Sequence, residues 1–370
     1  MNPKLLKVHC IGNYDIEKRF LATLPEGGQN MGYTELFDAY RRKSYFRSHG
    51  QAAEFVKLGW EVTEVIPHFE FFQRRWAEEN GLGPDADLAR IFLAQIRSFR
   101  PDAVFTDNIS QMPLELLNRR DDLPFLRLLA AQKGFPEDFE LLARCDLVFA
   151  SIYGLHLAFL TQGIRSYYLL HSFDPVVLDA MPGAVEPRGF VFSGHSGYGW
   201  DWHHRTRYNL LRHLLKTMPA FEAWIAERDR TLFPDIENPL RELFPEKTHA
   251  PVYGMDMYAL LAGAQLVLNQ HPDSSYGYTS NMRMFEAGGM GACTLVDDGL
   301  RMRELFEPDD EVVVYSSFEE CGEKAAYLMD HPAECQAIGD RMRRRVMKDH
   351  LCVHRVAEMD REMRARLRES

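Results

Sequence analysis

The residue types best suited to chemistry lie between Asn269 and Asp297, in NQHPDSSYGYTSNMRMFEAGGMGACTLVD. The apolar run 264–269 predicts a strand that ends at Asn269. A polar, glycine-containing loop follows and reaches Tyr278-Thr279-Ser280-Asn281 just before a helical stretch at 282–288. Ser280 or Asn281 suits the N-cap, because a short polar side chain can accept from an amide of the first turn. A helix start offers unbonded N–H groups and a positive dipole end, so it suits an anion. Arg283, in the first turn, can add a charge-assisted bond to a phosphate. Glu286 lies three residues on, on roughly the same face, and its carboxylate can accept from ribose hydroxyls. Gly288, Gly289 and Gly291 then end the helix and allow close packing. The same pattern also describes an ordinary capped helix with a surface Arg–Glu pair, and residue chemistry alone leaves both readings open.

A second group follows a predicted strand at 190–193. Phe192-Ser193-Gly194-His195-Ser196-Gly197 reads as a glycine-containing strand-to-helix turn, which suits a diphosphate. His204, Arg205 and Arg207 stand at the start of the next helix, predicted over 202–216. There the dipole and an arginine act together on phosphate and His204 can donate a bond; the competing reading is an exposed arginine. The His203-His204 pair does not read as a metal site: adjacent helix positions diverge, and no Cys or acidic partner has ligand spacing. Asp85 and Asp87 form a DxD pattern, but they stand at the start of the helical stretch DLARIFLAQI, where Asp is expected as a cap. No metal and no cofactor is expected.

These groups need elements to hold them. In the first half, strands are expected at 5–11, 60–66, 103–106, 125–131, 145–150 and 166–170, separated by helices. That alternation means βαβ units and a parallel sheet. Residues 179–188, DAMPGAVEPR, read as an interdomain linker. The pattern then restarts with strands at 190–193, 264–269, 292–296 and 311–315, and a helical tail from about Pro332. The fold class expected is α/β, with two Rossmann-like domains facing across a cleft. The first spans 1–180, the second 189–352, and a terminal helix at 353–370 returns to the first. Ligands of such sheets bind outside the carboxyl ends of the strands. In the first domain those ends carry Gly12, Asn13, Asp107, Asn108, Gln132 and His171. The aromatic stretch 69–76 reads as a core-facing amphipathic helix, with Gln73 and Trp76 as the alternative ligand contacts.

Composition narrows the function classes. The 370 residues are 46% hydrophobic and 26% charged, enough for two ordinary cores. The net charge of −11 argues against nucleic acid as a partner. Residues 341–370 run the other way, with ten Lys and Arg against five Asp and Glu. Such a helix either packs as a solvated face or makes peripheral contact with anionic lipid. Six cysteines without a CxxC pair, no secretory pattern and no apolar run of membrane-spanning length lead to the expectation of a cytoplasmic protein.

Three segments, NMRMFEAGGMGACTLVDD, EVVVYSSFEECGEKAAYLMDHP and HLCVHR, carry a family resemblance, extended upstream by QRRWAEE, CDLVFAS, HSFDPVVL and His204-x-x-Arg207. They resemble the CgeB-like bacterial glycosyltransferases, relatives of the retaining family-four enzymes. The likeness is strongest over 269–355 and weakest before residue 60. It implies the GT-B fold, with a nucleotide-sugar donor held mainly by the second domain and the acceptor by the first. It implies a retaining transfer to a carbohydrate, lipid-linked or protein acceptor, as in polysaccharide or glycoconjugate synthesis. It places Glu286, in the FEA triplet, on the donor ribose, and a basic residue, Arg207, on the diphosphate. The family pattern has a second glutamate seven residues earlier, where this chain has Thr279. The loop Tyr278–Asn281 must then supply those contacts. On this reading Gly194, His204, Thr279, Ser280, Asn281 and Arg283 complete the donor site, while Gly12, Asn13, Asn108, Gln132 and His171 line the first domain. Two other readings stay open: a nucleotide-sugar 2-epimerase, and a catalytically silent carbohydrate-binding or scaffold protein.

Overall fold

The computed structural model describes residues 2–10, 14–25, 27–43, 49–109, 114–136, 139–197, 203–227 and 239–369. The chain divides into two compact units. One comprises Met1–Leu169 with Cys352–Ser370, the other Leu170–Leu351. Each is a six-stranded parallel sheet with helices on its faces.

In the first unit the strands are β1 (Lys4–Val8), β2 (Glu61–Val65), β3 (Ala103–Thr106), β4 (Leu128–Lys133), β5 (Leu147–Ala150) and β6 (Ser166–Tyr168). They lie in the order β2-β1-β3-β4-β5-β6, with Leu5 opposite Val62 on one side and Ala103 on the other. The central strands are buried along their length, so they read as continuous apolar runs. The helix Cys352–Glu369 closes this unit. Its apolar stripe, Cys352, Val356, Met359, Met363 and Leu367, recurs every three or four residues and packs with Leu5, Phe55, Trp60 and Phe105. Trp60 Nε1 donates to Asp360 at 2.6 Å, and Arg364 to the Leu58 carbonyl at 2.8 Å. The basic side of this helix pairs largely with itself: Arg355 with Glu358, Arg364 with Asp360 and Arg366 with Glu369. No helix among the described residues is long and apolar enough to cross a membrane.

In the second unit the strands are β7 (Arg188–His195), β8 (Phe221–Ala226), β9 (Thr248–His249), β10 (Ala264–Asn269), β11 (Cys293–Asp297) and β12 (Val313–Tyr315). Their order is β12-β11-β10-β7-β8-β9. The chain therefore reverses its direction of travel across the sheet between β7 and β10. The core unites Phe190, Leu211, Phe221, Leu266, Leu295 and Cys335.

The boundary differs from the sequence expectation of a first domain ending at 180 and a linker at 179–189. Residues 170–180 belong to the second unit, because Phe173 anchors them there. Phe173 is fully buried, its amide donates to the His350 carbonyl at 2.9 Å, and its ring meets Tyr258 edge-on. A Cβ on Gly289 would lie 2.4 Å from that ring, so only glycine fits beneath it. The Pro- and Gly-rich stretch after Ala180 is a connection inside the second unit.

Candidate donor site

The sequence groups around Gly194 and Asn281 meet where β7 and β10 lie side by side. In an open parallel sheet this reversal point leaves a crevice at the carboxyl ends of the strands, where ligands bind. Two features shape the β7 side. Gly197 has φ +84°, and a Cβ there would fall 2.3 Å from His204 Cβ and 2.6 Å from the His204 carbonyl oxygen. The turn and the start of the helix Arg205–Thr217 thus approach as closely as glycine allows. Arg207, from that helix, ties the two strand ends together. Its Nε and Nη2 donate to the Gln270 carbonyl at 3.2 and 2.6 Å, and Nη1 to the His195 carbonyl at 3.4 Å. Burial pulls its guanidinium down to about 10, with Asp297, Tyr315 and Asp273 opposing. It stays a cation at neutral pH.

The helix start at Arg205 differs from the sequence expectation. The Thr206 amide donates to the Asp273 carboxylate at 3.0 Å, and the Asp273 amide to the His203 carbonyl at 2.7 Å. A carboxylate already meets the positive end of this dipole, so the helix start is not open to phosphate as expected. His204 is buried, and desolvation together with Arg207 and its histidine neighbours pushes its imidazole down to about 2. It is neutral and adds no positive charge.

The second helix start fits the expectation better. Asn281 is the N-cap of Met282–Met290, its Oδ1 accepting from the Met284 amide at 3.2 Å. Its Nδ2 donates to Asn269 Oδ1 at 2.8 Å, which fixes the cap to the end of β10. The first turn carries no acidic residue. Arg283 reaches across to β7, donating from Nε to the Ser193 carbonyl at 3.2 Å. Its Nη1 lies 2.8 Å from Glu286 Oε2 and 2.6 Å from Met257 Sδ. Glu286 is buried, so the Arg–Glu pair is a part-buried link at the crevice and not a surface pair. Asn281→Ala should cost about 1 kcal/mol of stability through loss of the cap. Urea unfolding checks this, and an unchanged midpoint would mean that the helix end does not depend on Asn281.

Polar atoms collect on the loop after β10. Asn269 Nδ2, His271 Nε2, Ser274 Oγ, Thr279 Oγ1 and Ser280 Oγ are buried with no hydrogen-bond partner among the described residues. Buried polar groups are rarely left this way, so each calls for an explanation. Sequence reasoning passed over His271 and Asp297. In the structure Asp297 Oδ1 accepts from His271 Nδ1 and from the His271 amide, both at 2.8 Å, while Oδ2 accepts from Gln270 Nε2 at 2.9 Å. The Tyr315 hydroxyl stands 2.8 Å from Gln270 Oε1. The available sequence signal was two polar residues at adjacent strand ends, His271 after β10 and Asp297 closing β11.

Of the residues assigned to the first domain, Gly12 and Asn13 lie outside the described residues. Asn108 follows β3 and accepts from Lys133 Nζ at 3.0 Å; Gln132 is half-buried on β4. His171 belongs to the second unit, 6.4 Å from the Phe285 ring, because its segment is held there by Phe173. Asp87 caps the helix Leu88–Phe99, accepting from the Arg90 amide at 2.7 Å. Gln73 is buried and donates to the Ile66 carbonyl at 3.0 Å. On β2, Glu64 contacts His9, just past β1, at 2.8 Å and Arg41 at 2.8 Å. Burial alone would raise its carboxyl, but His9, Lys7 and Arg41 outweigh that and hold it down to about 2. No group of three or more His, Cys, Asp or Glu among the described residues could hold a metal ion.

Two parallel-sheet Rossmann-like units, with the terminal helix completing the first, are the GT-B fold. Residues 205–361 match a family model described as glycosyl transferase-like. The matched stretch, which lies almost wholly in the second unit, is a glycosyl transferase-like domain. Among solved structures, Anabaena Alr3699/HepE in complex with UDP-glucose is similar at 12% identity and TM-score 0.59, over 98% of this chain and 99% of that one. A glycosyltransferase from Rickettsia africae is similar at 10% identity and TM-score 0.59, over all of both chains. Sucrose-phosphate synthase from Thermosynechococcus elongatus is similar at 10% identity and TM-score 0.58, also over all of both chains. No curated protein sequence matches the chain.

Proposed function

We propose that the protein transfers a glycosyl group from a nucleoside diphosphate sugar, held at the carboxyl ends of β7, β10 and β11, to an acceptor hydroxyl on a carbohydrate, lipid-linked or protein substrate. The observation that carries this reading is the cluster of five buried polar atoms on the β10 loop with no partner among the described residues, beside two arginines and a carboxylate. A ligand rich in hydroxyls and phosphate oxygens would satisfy such a set. The family match over the same residues and the UDP-glucose complex of a similar fold support the same donor class.

In this reading Glu286 accepts from the donor ribose. Arg207, Arg283 and the start of the helix Met282–Met290 face the diphosphate. Their preset charge stabilises the negative charge that grows on the leaving group. Thr279, Ser280 and Asn281 line the loop, with Gly194 and His204 on the β7 side. Asn108 and Gln132 are the proposed acceptor contacts. Retention at the anomeric carbon follows from the family resemblance.

A panel of nucleotide sugars scored by protection against thermal unfolding tests the reading. A ligand at a hundred times its dissociation constant adds about 2.7 kcal/mol, a readily measured shift. Protection by none of the common nucleotide sugars or their diphosphates would overturn it. Because two arginines supply the positive charge, turnover should persist in chelator. Activity that vanished with chelator and returned with manganese or magnesium would move the phosphate contact to a metal.

A further inference from the structure

The five partnerless atoms on the β10 loop are not chemically alike. Asn269 Nδ2 can only donate, and the hydroxyls of Ser274, Thr279 and Ser280 can donate or accept. All four could serve a phosphate. His271 Nε2 differs from them, because in the neutral ring it has no proton to give a phosphate. His271 is 4% exposed, and its ring is fixed by Asp297, whose Oδ1 receives both the Nδ1 proton and the backbone amide of the same residue at 2.8 Å. A carboxylate oxygen only accepts, so Nδ1 carries the proton. In the neutral ring Nε2 is then a bare acceptor, buried with no partner among the described residues. Phosphate oxygens bring it no proton. Of a nucleotide sugar's hydroxyls, those of the ribose fall to Glu286, which leaves the hydroxyls of the sugar.

We propose that His271, oriented by Asp297, accepts a hydrogen bond from a hydroxyl of the transferred sugar and so reads the sugar half of the donor. This rests on the donor site proposed above. The β10 loop then has two kinds of task. Donating groups and arginines hold the diphosphate, while an imidazole with a preset tautomer tests for a hydroxyl at one position of the sugar. The second contact of Asp297, from Gln270 Nε2 at 2.9 Å, holds the carboxylate so that the ring cannot swing away.

The test measures dissociation constants by calorimetry for UDP, GDP and ADP and for UDP-glucose, UDP-galactose, UDP-N-acetylglucosamine, GDP-mannose and ADP-glucose. The variants are His271→Asn and His271→Gln. In Asn the side-chain amide takes the place of Nδ1–H and keeps the bond to Asp297, but nothing stands where Nε2 was. In Gln the amide oxygen comes near the Nε2 position. For the best-bound nucleotide sugar, His271→Asn should weaken binding about 2- to 12-fold, the range for one neutral hydrogen bond. Its parent diphosphate should change less than about twofold. His271→Gln should recover part of the difference. Equal weakening of sugar and diphosphate forms by His271→Asn would overturn the inference, since His271 would then hold the loop or meet phosphate. An unchanged ratio between the two forms would overturn it as well. If the wild type binds no diphosphate at all, the donor site itself is wrong. Urea unfolding midpoints for both variants keep a folding defect from passing as a recognition defect.

Discussion

Replacing Arg207 with methionine is expected to cost about 2–4 kcal/mol of stability, because two backbone carbonyls, those of His195 and Gln270, lose a charged donor in a buried setting. Methionine keeps much of the apolar stem, so the loss reports the guanidinium and not an emptied volume. The same change should weaken nucleoside diphosphate binding about 10- to 150-fold, since each 1.4 kcal/mol is tenfold and a charged bond contributes roughly 1.5–3 kcal/mol. The two effects share one cause. Arg207 joins the ends of β7 and β10, so its removal loosens the walls of the crevice and takes away its charge together. Arg207→Lys separates them: it restores a cation but cannot bond both carbonyls in the plane of a guanidinium. It should recover part of the phosphate affinity and little of the stability. Urea unfolding with an unchanged slope and calorimetry with UDP, GDP and ADP check both numbers. A nucleoside without phosphates should lose much less. If nucleoside and diphosphate weaken equally in Arg207→Met, Arg207 supports the fold and does not meet phosphate.

The parts of this site that could be read from the sequence are those that one local element determines. Asn281, Arg283 and Glu286 belong to one helix start, where spacing alone fixes cap, first turn and shared face. Gly197 was legible as part of a turn; that it abuts the His204 backbone was not. The site's other half depends on which strands are neighbours. His271 and Asp297 are 26 positions apart and meet because β10 pairs with β11, Leu266 opposite Cys293 and Asn269 opposite Val296. The capping of Thr206 by Asp273 is likewise a contact between loops of adjacent strands. No periodicity reports such pairs. The same limit explains what was missed in the fold. β8, FEAWIA, has Glu222 within a short run, and that glutamate finds its partner, His249, only on β9. The domain boundary was misplaced because a Pro- and Gly-rich stretch marks a loop without saying which core its neighbours join. Phe173 decides that through contacts with Gly289 and Tyr258.

Glu286 sits in a tighter setting than a solvated carboxylate in an open site. It is buried, and Arg283 occupies its Oε2 at 2.8 Å. Arg283 in turn holds the Ser193 carbonyl on β7, so the carboxylate is aimed before any ligand arrives. In the proposed function both ribose hydroxyls donate to Glu286 while Arg283 keeps its grip. Glu286→Gln keeps the size and one acceptor oxygen but removes the charge. Donor affinity should fall by about 1–3 kcal/mol, the range for a charged hydrogen bond made neutral. Stability should fall by only about 1 kcal/mol, because the amide oxygen can still accept from Arg283. The decisive ligand is a 2′,3′-dideoxynucleoside diphosphate, which has neither ribose hydroxyl. Wild type should bind it more weakly than the normal diphosphate by about the same 1–3 kcal/mol, and Glu286→Gln should bind the two nearly alike. The coupling between mutation and missing hydroxyls isolates the contact from any general loosening of the helix. If wild type binds both diphosphates equally, or if Glu286→Gln unfolds the second unit, then Glu286 serves only to hold Arg283 against β7. The ribose must then lie elsewhere along the strand ends.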